Sequence, residues 1–192
     1  MPPRPETYIE NEVLKWYIME KTGPTDYEAE TTRLWNTIVH HYFQKEDGFT
    51  TTAEKFLTLN NRDPSRKVAS RRGRADLFTT YWKRDEDHPK GIETELLVVE
   101  CKRAKKDSPN GWIEAETQLL RYVDAANSGE HAKRYGIVAI GRQARIFRYE
   151  PHLIHGNVVG YTWTTLSSVK LDLERDSILI DKALRSILAN RN

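Results

Sequence analysis

Three residues in the middle of this 192-residue sequence are of types that do chemistry together: Asp76, Glu100 and Lys102. Glu100 and Lys102 end the run Leu96, Leu97, Val98, Val99, Glu100, Cys101, Lys102. Side chains in a strand alternate between faces, so Leu96, Val98, Glu100 and Lys102 share one side, with the last two ~7 Å apart along it. The four apolar residues belong to a core strand covered on both faces. A carboxylate at the end of such a strand is costly without a partner. One reading is an ordinary Glu–Lys ion pair where a strand reaches solvent, and Glu-x-Lys alone has that meaning more often than a chemical one. Asp76 opens another. It lies early in the aromatic and β-branched run at residues 74–82, on the face shared with Phe78 and Thr80. The turn-like residues 83–94 suit an antiparallel hairpin that sets Asp76 beside Glu100. Two carboxylates held together repel unless a cation lies between them, and oxygen-rich sites of this kind suit Mg²⁺ or Mn²⁺. The plainer alternative for Asp76 is a solvated residue at a strand start, among Arg71, Arg72 and Arg74.

The elements that position these groups follow from periodicity. A helix over residues 6–20 stops at Lys21, Thr22, Gly23 and Pro24. A second runs from Thr25 or Asp26 to Gln44, with Tyr27, Leu34, Ile38 and Tyr42 on its inward stripe. Residues 54–59 form a short strand, and a polar, basic stretch leads to the strand at 74–82. The strand at 95–102, a helix at 112–127 and a buried strand at 135–140 make a βαβ unit, whose crossover is right-handed and whose strands are parallel. Strands at 144–149 and 158–163 continue the sheet, and a helix at 177–189 buries Ile178, Leu184, Ile187 and Leu188 in some combination. The expectation is an α/β sandwich with a mixed sheet, in one domain spanning residues 1–192.

The order of these motifs resembles the PD-(D/E)XK nuclease superfamily. Arg74-Ala75-Asp76, then an apolar strand running into Glu100-Cys101-Lys102, is similar to the pattern for which that family is named, with Ala75 where the name has proline. Gln118 and Tyr122, four apart on one helix face, match the Gln-x-x-x-Tyr that many members carry after the Glu-x-Lys strand. The resemblance covers the core, about residues 27–149. Residues 6–20 and 158–190 are additions to it. It implies a restriction-endonuclease-like α/β/α sandwich and metal-dependent hydrolysis of phosphodiester bonds, DNA being favoured over RNA. By this resemblance Asp76 and Glu100 hold Mg²⁺ or Mn²⁺, with the Cys101 backbone carbonyl as a further ligand. Lys102 orients water and stabilises the transition state, while Gln118 and Tyr122 position the phosphate. The glutamate that members carry on their first helix falls on Glu30, four residues before Leu34; Glu28 is less well placed. The alternative is a nuclease-like domain that binds nucleic acid without cutting, or an interaction module of effector or immunity type. Family members often pair to cut two strands, so a homodimer or a targeting partner protein is a further expectation.

Charge arrangement bears on substrate more than charge total. The net charge is +2, with 30% charged and 38% hydrophobic residues, values of an ordinary globular chain rather than a disordered one. Arg62, Arg66, Lys67, Arg71, Arg72 and Arg74 precede Asp76; Lys102, Arg103, Lys105 and Lys106 follow Glu100; Arg142, Arg145 and Arg148 form a third group. The first two groups flank the acidic pair, where phosphates would lie, although charge runs are usually solvated loops. The single Cys101 excludes an internal disulfide and, facing away from Glu100, reads as a small core hydrophobe rather than a nucleophile. His40, His41, His152 and His155 lack partners at zinc spacing. Trp16, Trp35, Trp112 and Trp163 read as core or interface aromatics. No glycine-rich phosphate loop, apolar leader or membrane-length apolar stretch is present, so an intracellular protein that is not membrane-bound is expected.

Overall fold

Asn11 starts the first helix by chemistry. Its side-chain oxygen accepts from the amides of Val13 and Leu14 at 3.1 Å, which supplies partners that the first helical turn lacks. Helix α1 (Glu12–Glu20) buries Leu14 and Ile18. Helix α2 (Glu28–Tyr42) buries Leu34, Trp35, Ile38, Val39 and Tyr42. The computed structural model describes residues 7–21, 27–58, 72–85, 88–125, 133–154, 157–167 and 169–190.

Among the described residues seven strands form one mixed sheet: β1 (Phe49–Thr58), β2 (Arg72–Asp85), β3 (His88–Lys102), β4 (Arg134–Ile140), β5 (Gln143–Ile154), β6 (Asn157–Thr165) and β7 (Leu171–Asp172). The first six lie side by side in chain order, and β7 pairs with β5. All described pairings are antiparallel except β3 with β4. That exception follows from helix α3 (Pro109–Ala125), which returns the chain across the sheet so that β4 runs beside β3 in the same direction. The βαβ expectation is met in order and direction. Helix α4 (Ser177–Ala189) closes the described chain.

Two apolar layers cover the sheet. On one side α1, α2 and α4 pack Leu34, Trp35, Ile38, Ile180 and Leu184 against Leu77, Leu97, Val99, Cys101, Ile137 and Ala139. On the other, α3 packs Trp112, Ala115, Leu119 and Val123 against Phe78, Val98, Val138 and Ile140. Burying each Val, Leu, Ile or Phe of these layers contributes about 1.5–3 kcal/mol. The alternation of Val98 with Leu97 and Val99 between the layers is why that strand reads as continuously apolar. The result is the expected α/β class, with helices on both faces of a mixed sheet.

Several expectations need correction. Tyr27 lies just outside α2 and is 80% exposed, so the inward stripe begins later, at Thr31 and Leu34. Ile178 is 62% exposed; α4 instead buries Ile180, Leu184 and Ile187. The strand expected at 54–59 starts earlier, at Phe49, and β7 is too short to leave a period. Among the described residues no helix is long and apolar enough to cross a membrane.

Candidate active site

The register of the central strands creates a gap. Pairing of β2 with β3 runs from Asp85 opposite His88 to Leu77 opposite Val99, and there it ends. Beyond that rung β3 stays paired with β4 as far as Lys102 opposite Ile140. The Cys101 amide, left without a β2 carbonyl, donates instead to Asp76 Oδ2 at 2.7 Å. The amide and carbonyl of one residue point to the same strand edge, so the Cys101 carbonyl faces this gap as well. Lys102, with the opposite orientation, gives its carbonyl to the Gly141 amide at 3.0 Å. Gly141 turns β4 into β5 with φ +55°, and a Cβ there would stand 2.6 Å from the Ala104 side chain. The end of β3 and this turn are therefore packed backbone to backbone.

Asp76 does not share the face of Phe78. It lines a cavity of about 410 Å³ on the α2 side of the sheet, with Leu77, Ala53, Glu54, Thr32, Asn36 and Glu28. Phe78 packs into the opposite layer. Glu100 and Lys102 behave as strand alternation requires: their register partners on β4 are Val138 and Ile140, both in the α3 layer. Asp76 and Glu100 thus approach the end of the β2–β3 ladder from different sides, with the Cys101 peptide between them.

Glu100 is 1% exposed. Its Oε1 accepts from Lys102 Nζ at 2.5 Å, while Oε2 is buried without a hydrogen-bond partner among the described residues. An orphaned carboxylate oxygen in the interior is expensive. Burial, first, and the Asp76 charge, second, push the Glu100 carboxyl up to about 8, against the pull of Lys102. Burial likewise raises the Asp76 carboxyl above its ordinary range, although the Cys101 amide and Lys102 pull it down. For Lys102 burial opposes the charged form, but Glu100, Glu28 and Asp76 outweigh it, and the ammonium is held more firmly protonated than usual. The Cys101 thiol is raised, mainly by burial, and belongs to the α2-side core. Burial disfavours the charged form of both carboxyls, and at Glu100 the neighbouring Asp76 charge adds to it.

Glu28, at the start of α2, lines the Asp76 cavity and adds negative charge to Asp76, Glu100 and Lys102 alike. Glu30 is turned elsewhere: it accepts from the Tyr17 hydroxyl of α1 and lies 3.8 Å from Arg33. The preference for Glu30 over Glu28 is thereby reversed. A stripe that begins at Thr31 and Leu34 is the signal that, read correctly, places Glu28 near the sheet.

Gln118 and Tyr122 meet as their spacing requires, Gln118 Nε2 donating to the Tyr122 hydroxyl at 2.7 Å. Tyr122 is buried in the α3 layer with Val98 and Val138, and Gln118 is half-buried. Of the basic residues, Arg103 and Lys105 are exposed after β3. Lys106 pairs with Glu114 at 3.2 Å and Arg74 with Glu54 at 3.4 Å. Arg142, Arg145 and Arg148 pair with Glu174, Glu116 and Glu150, so the third basic group serves the fold. Arg62, Arg66, Lys67 and Arg71 lie outside the described residues, as does His155, and the Arg72 side chain is likewise not described.

Among the described residues no group of three or more His, Cys, Asp or Glu side chains stands at metal-holding spacing. The candidate donors are two carboxylates, one with an orphaned buried oxygen, and a backbone carbonyl. All are hard oxygens, the chemistry of Mg²⁺ or Mn²⁺ rather than zinc. Comparison with protein-family models gives no match, and no curated protein matches the chain in sequence.

Proposed function

We propose that the chain is a metal-dependent phosphodiesterase acting on nucleic acid, DNA in preference to RNA, on a restriction-endonuclease-like fold of the PD-(D/E)XK kind. The observation that carries this reading is the buried Glu100 Oε2, unpartnered among the described residues, beside a peptide gap that Asp76 enters from the other side. Asp76, Glu100 and the Cys101 carbonyl would hold Mg²⁺ or Mn²⁺. Such an ion supplies a Lewis acid that eases deprotonation of water and offsets charge on the phosphate. Lys102, firmly protonated, acts as a donor: it orients water and stabilises negative charge that develops on phosphate oxygens. It is not a base in this environment. Gln118 and Tyr122, tied to each other on α3, position the phosphate from the sheet's other layer, and Glu28 adds to the negative field that attracts the ion. Arg103 and Lys105 meet the backbone of the nucleic acid through exposed, salt-sensitive contacts.

A second reading is a non-cutting module that binds nucleic acid or a partner protein, including a second copy of the chain. One observation favours it: Val13, Trp16 and Met19 of α1 are all more than half exposed, an apolar stripe of the kind that marks interaction surfaces. The deciding experiment is cleavage of single- and double-stranded DNA and of RNA with Mg²⁺, Mn²⁺ or EDTA. Metal-dependent cleavage that Asp76→Ala abolishes, with unfolding cooperativity unchanged, is expected. Absence of cleavage from every substrate, alongside salt-sensitive binding, would leave the second reading in its place.

A further inference from the structure

Glu54 has a left-handed backbone, φ 56°, the single non-glycine residue of positive φ among the described residues, and it stands in the middle of β1. Residues with a Cβ rarely adopt this conformation, and where they do the surrounding structure holds them in it, often at functional sites. The rung it occupies is informative. Ala53 pairs with Leu77 and Lys55 with Ala75, while the rung between them, Glu54 opposite Asp76, is missing from the ladder.

Both strands lose their alternation at that rung. In β2, Ala75 and Phe78 belong to the same α3-side cluster although they are three apart. In β1, the Lys55 ammonium lies 4.1 Å from the centre of the Phe78 ring, whose own register partner is Thr52. Regular pleating puts residues three apart on opposite faces. The irregularity is absorbed by Ala53 with Glu54 and by Asp76 with Leu77, and all four line the α2-side cavity. In an unbroken β2, Asp76 would point with Phe78 into the α3 layer, where it could not reach the Cys101 amide from the cavity side.

We propose that Glu54 is a positioning residue, whose left-handed backbone turns Asp76 out of the α3 face and into the gap where its carboxylate accepts the Cys101 amide. The role lies in the backbone. The Glu54 carboxylate pairs with Arg74 at 3.4 Å, with both side chains more than half exposed, and pairs of that kind contribute little. The inference deepens the nuclease reading and rests on it for its catalytic consequence.

The test is a series at position 54 in the full chain: Glu54→Gly, Glu54→Asn, Glu54→Ala and Glu54→Val. All remove the carboxylate, and they differ in tolerance of the left-handed region. Two readouts are used, hydrogen exchange of the Cys101 amide by NMR and Mn²⁺ affinity by electron paramagnetic resonance. Alanine, which carries the same Cβ as glutamate, is expected to stay within about threefold of the parent in both, glycine and asparagine to match or improve on it, and β-branched valine to be about tenfold worse. If the valine chain does not fold, the asparagine–alanine contrast carries the comparison. Equal loss in all four variants, or Cys101 protection as strong in valine as in glycine, overturns the proposal, as does asparagine no better than alanine where valine does not fold. A chain that cuts no nucleic acid but shows the ordered series overturns the nuclease reading and leaves the positioning role standing. One that cuts without the ordered series does the reverse.

Discussion

Replacing Glu100 by glutamine should change how stability depends on pH, because this carboxyl is held far from its ordinary range. In the fold it is pushed from 4.5 up to about 8, by burial and then by Asp76. The folded value exceeds the unfolded one, so the fold binds this proton more tightly than the open chain does. The group costs nothing below the unfolded value. As pH rises through the window from 4.5 to about 8 the ionised form is increasingly penalised, and above it the loss is complete. Without relaxation that loss is on the order of 5 kcal/mol. Local water entry reduces it, and roughly 2–3 kcal/mol is expected, or about 5–10 °C for a chain of this size. Guanidinium unfolding in EDTA between about pH 5 and pH 9 measures it. Parent and Glu100→Gln should agree at the acid end, where both groups are neutral, and separate at the alkaline end with the variant more stable. Mg²⁺ added at alkaline pH should return most of the loss to the parent and little to the variant. Parallel profiles across the whole range would refute the reasoning, since Glu100 would then titrate alike in both states.

Two further outcomes follow from the same geometry. Lys102→Met removes the ammonium that donates to Glu100 Oε1. Turnover should fall by roughly 10²–10³, as when one transition-state donor is lost, and the Glu100 carboxyl should titrate at still higher pH by carbon NMR. Glu28→Gln should weaken Mn²⁺ binding by about tenfold, the lower range for a supporting group near a metal. Glu30→Gln should leave that affinity unchanged and instead loosen α1, because its carboxylate receives the Tyr17 hydroxyl; calorimetric metal titration and thermal unfolding of both variants separate the two effects.

Much of the molecule was legible in the residues because the signals are local. Leu96 to Val99 announce a strand covered on both faces, the helix at 112–127 enforces a crossover, and the parallel pairing of β3 with β4 follows from the chain's return. Glu100 and Lys102 on one face, and Gln118 within reach of Tyr122, are consequences of period two and period 3.6. The side from which Asp76 enters was not legible. It depends on a broken rung shared with Glu54, a residue twenty-odd positions away and joined to Asp76 by no sequence pattern. Nor was the choice of Glu28 over Glu30, which turns on where α2 begins and on a tyrosine from α1. Periodicity reports the face of a regular element; departures from regularity are set by neighbouring strands, and contacts between elements exist only after the chain has folded.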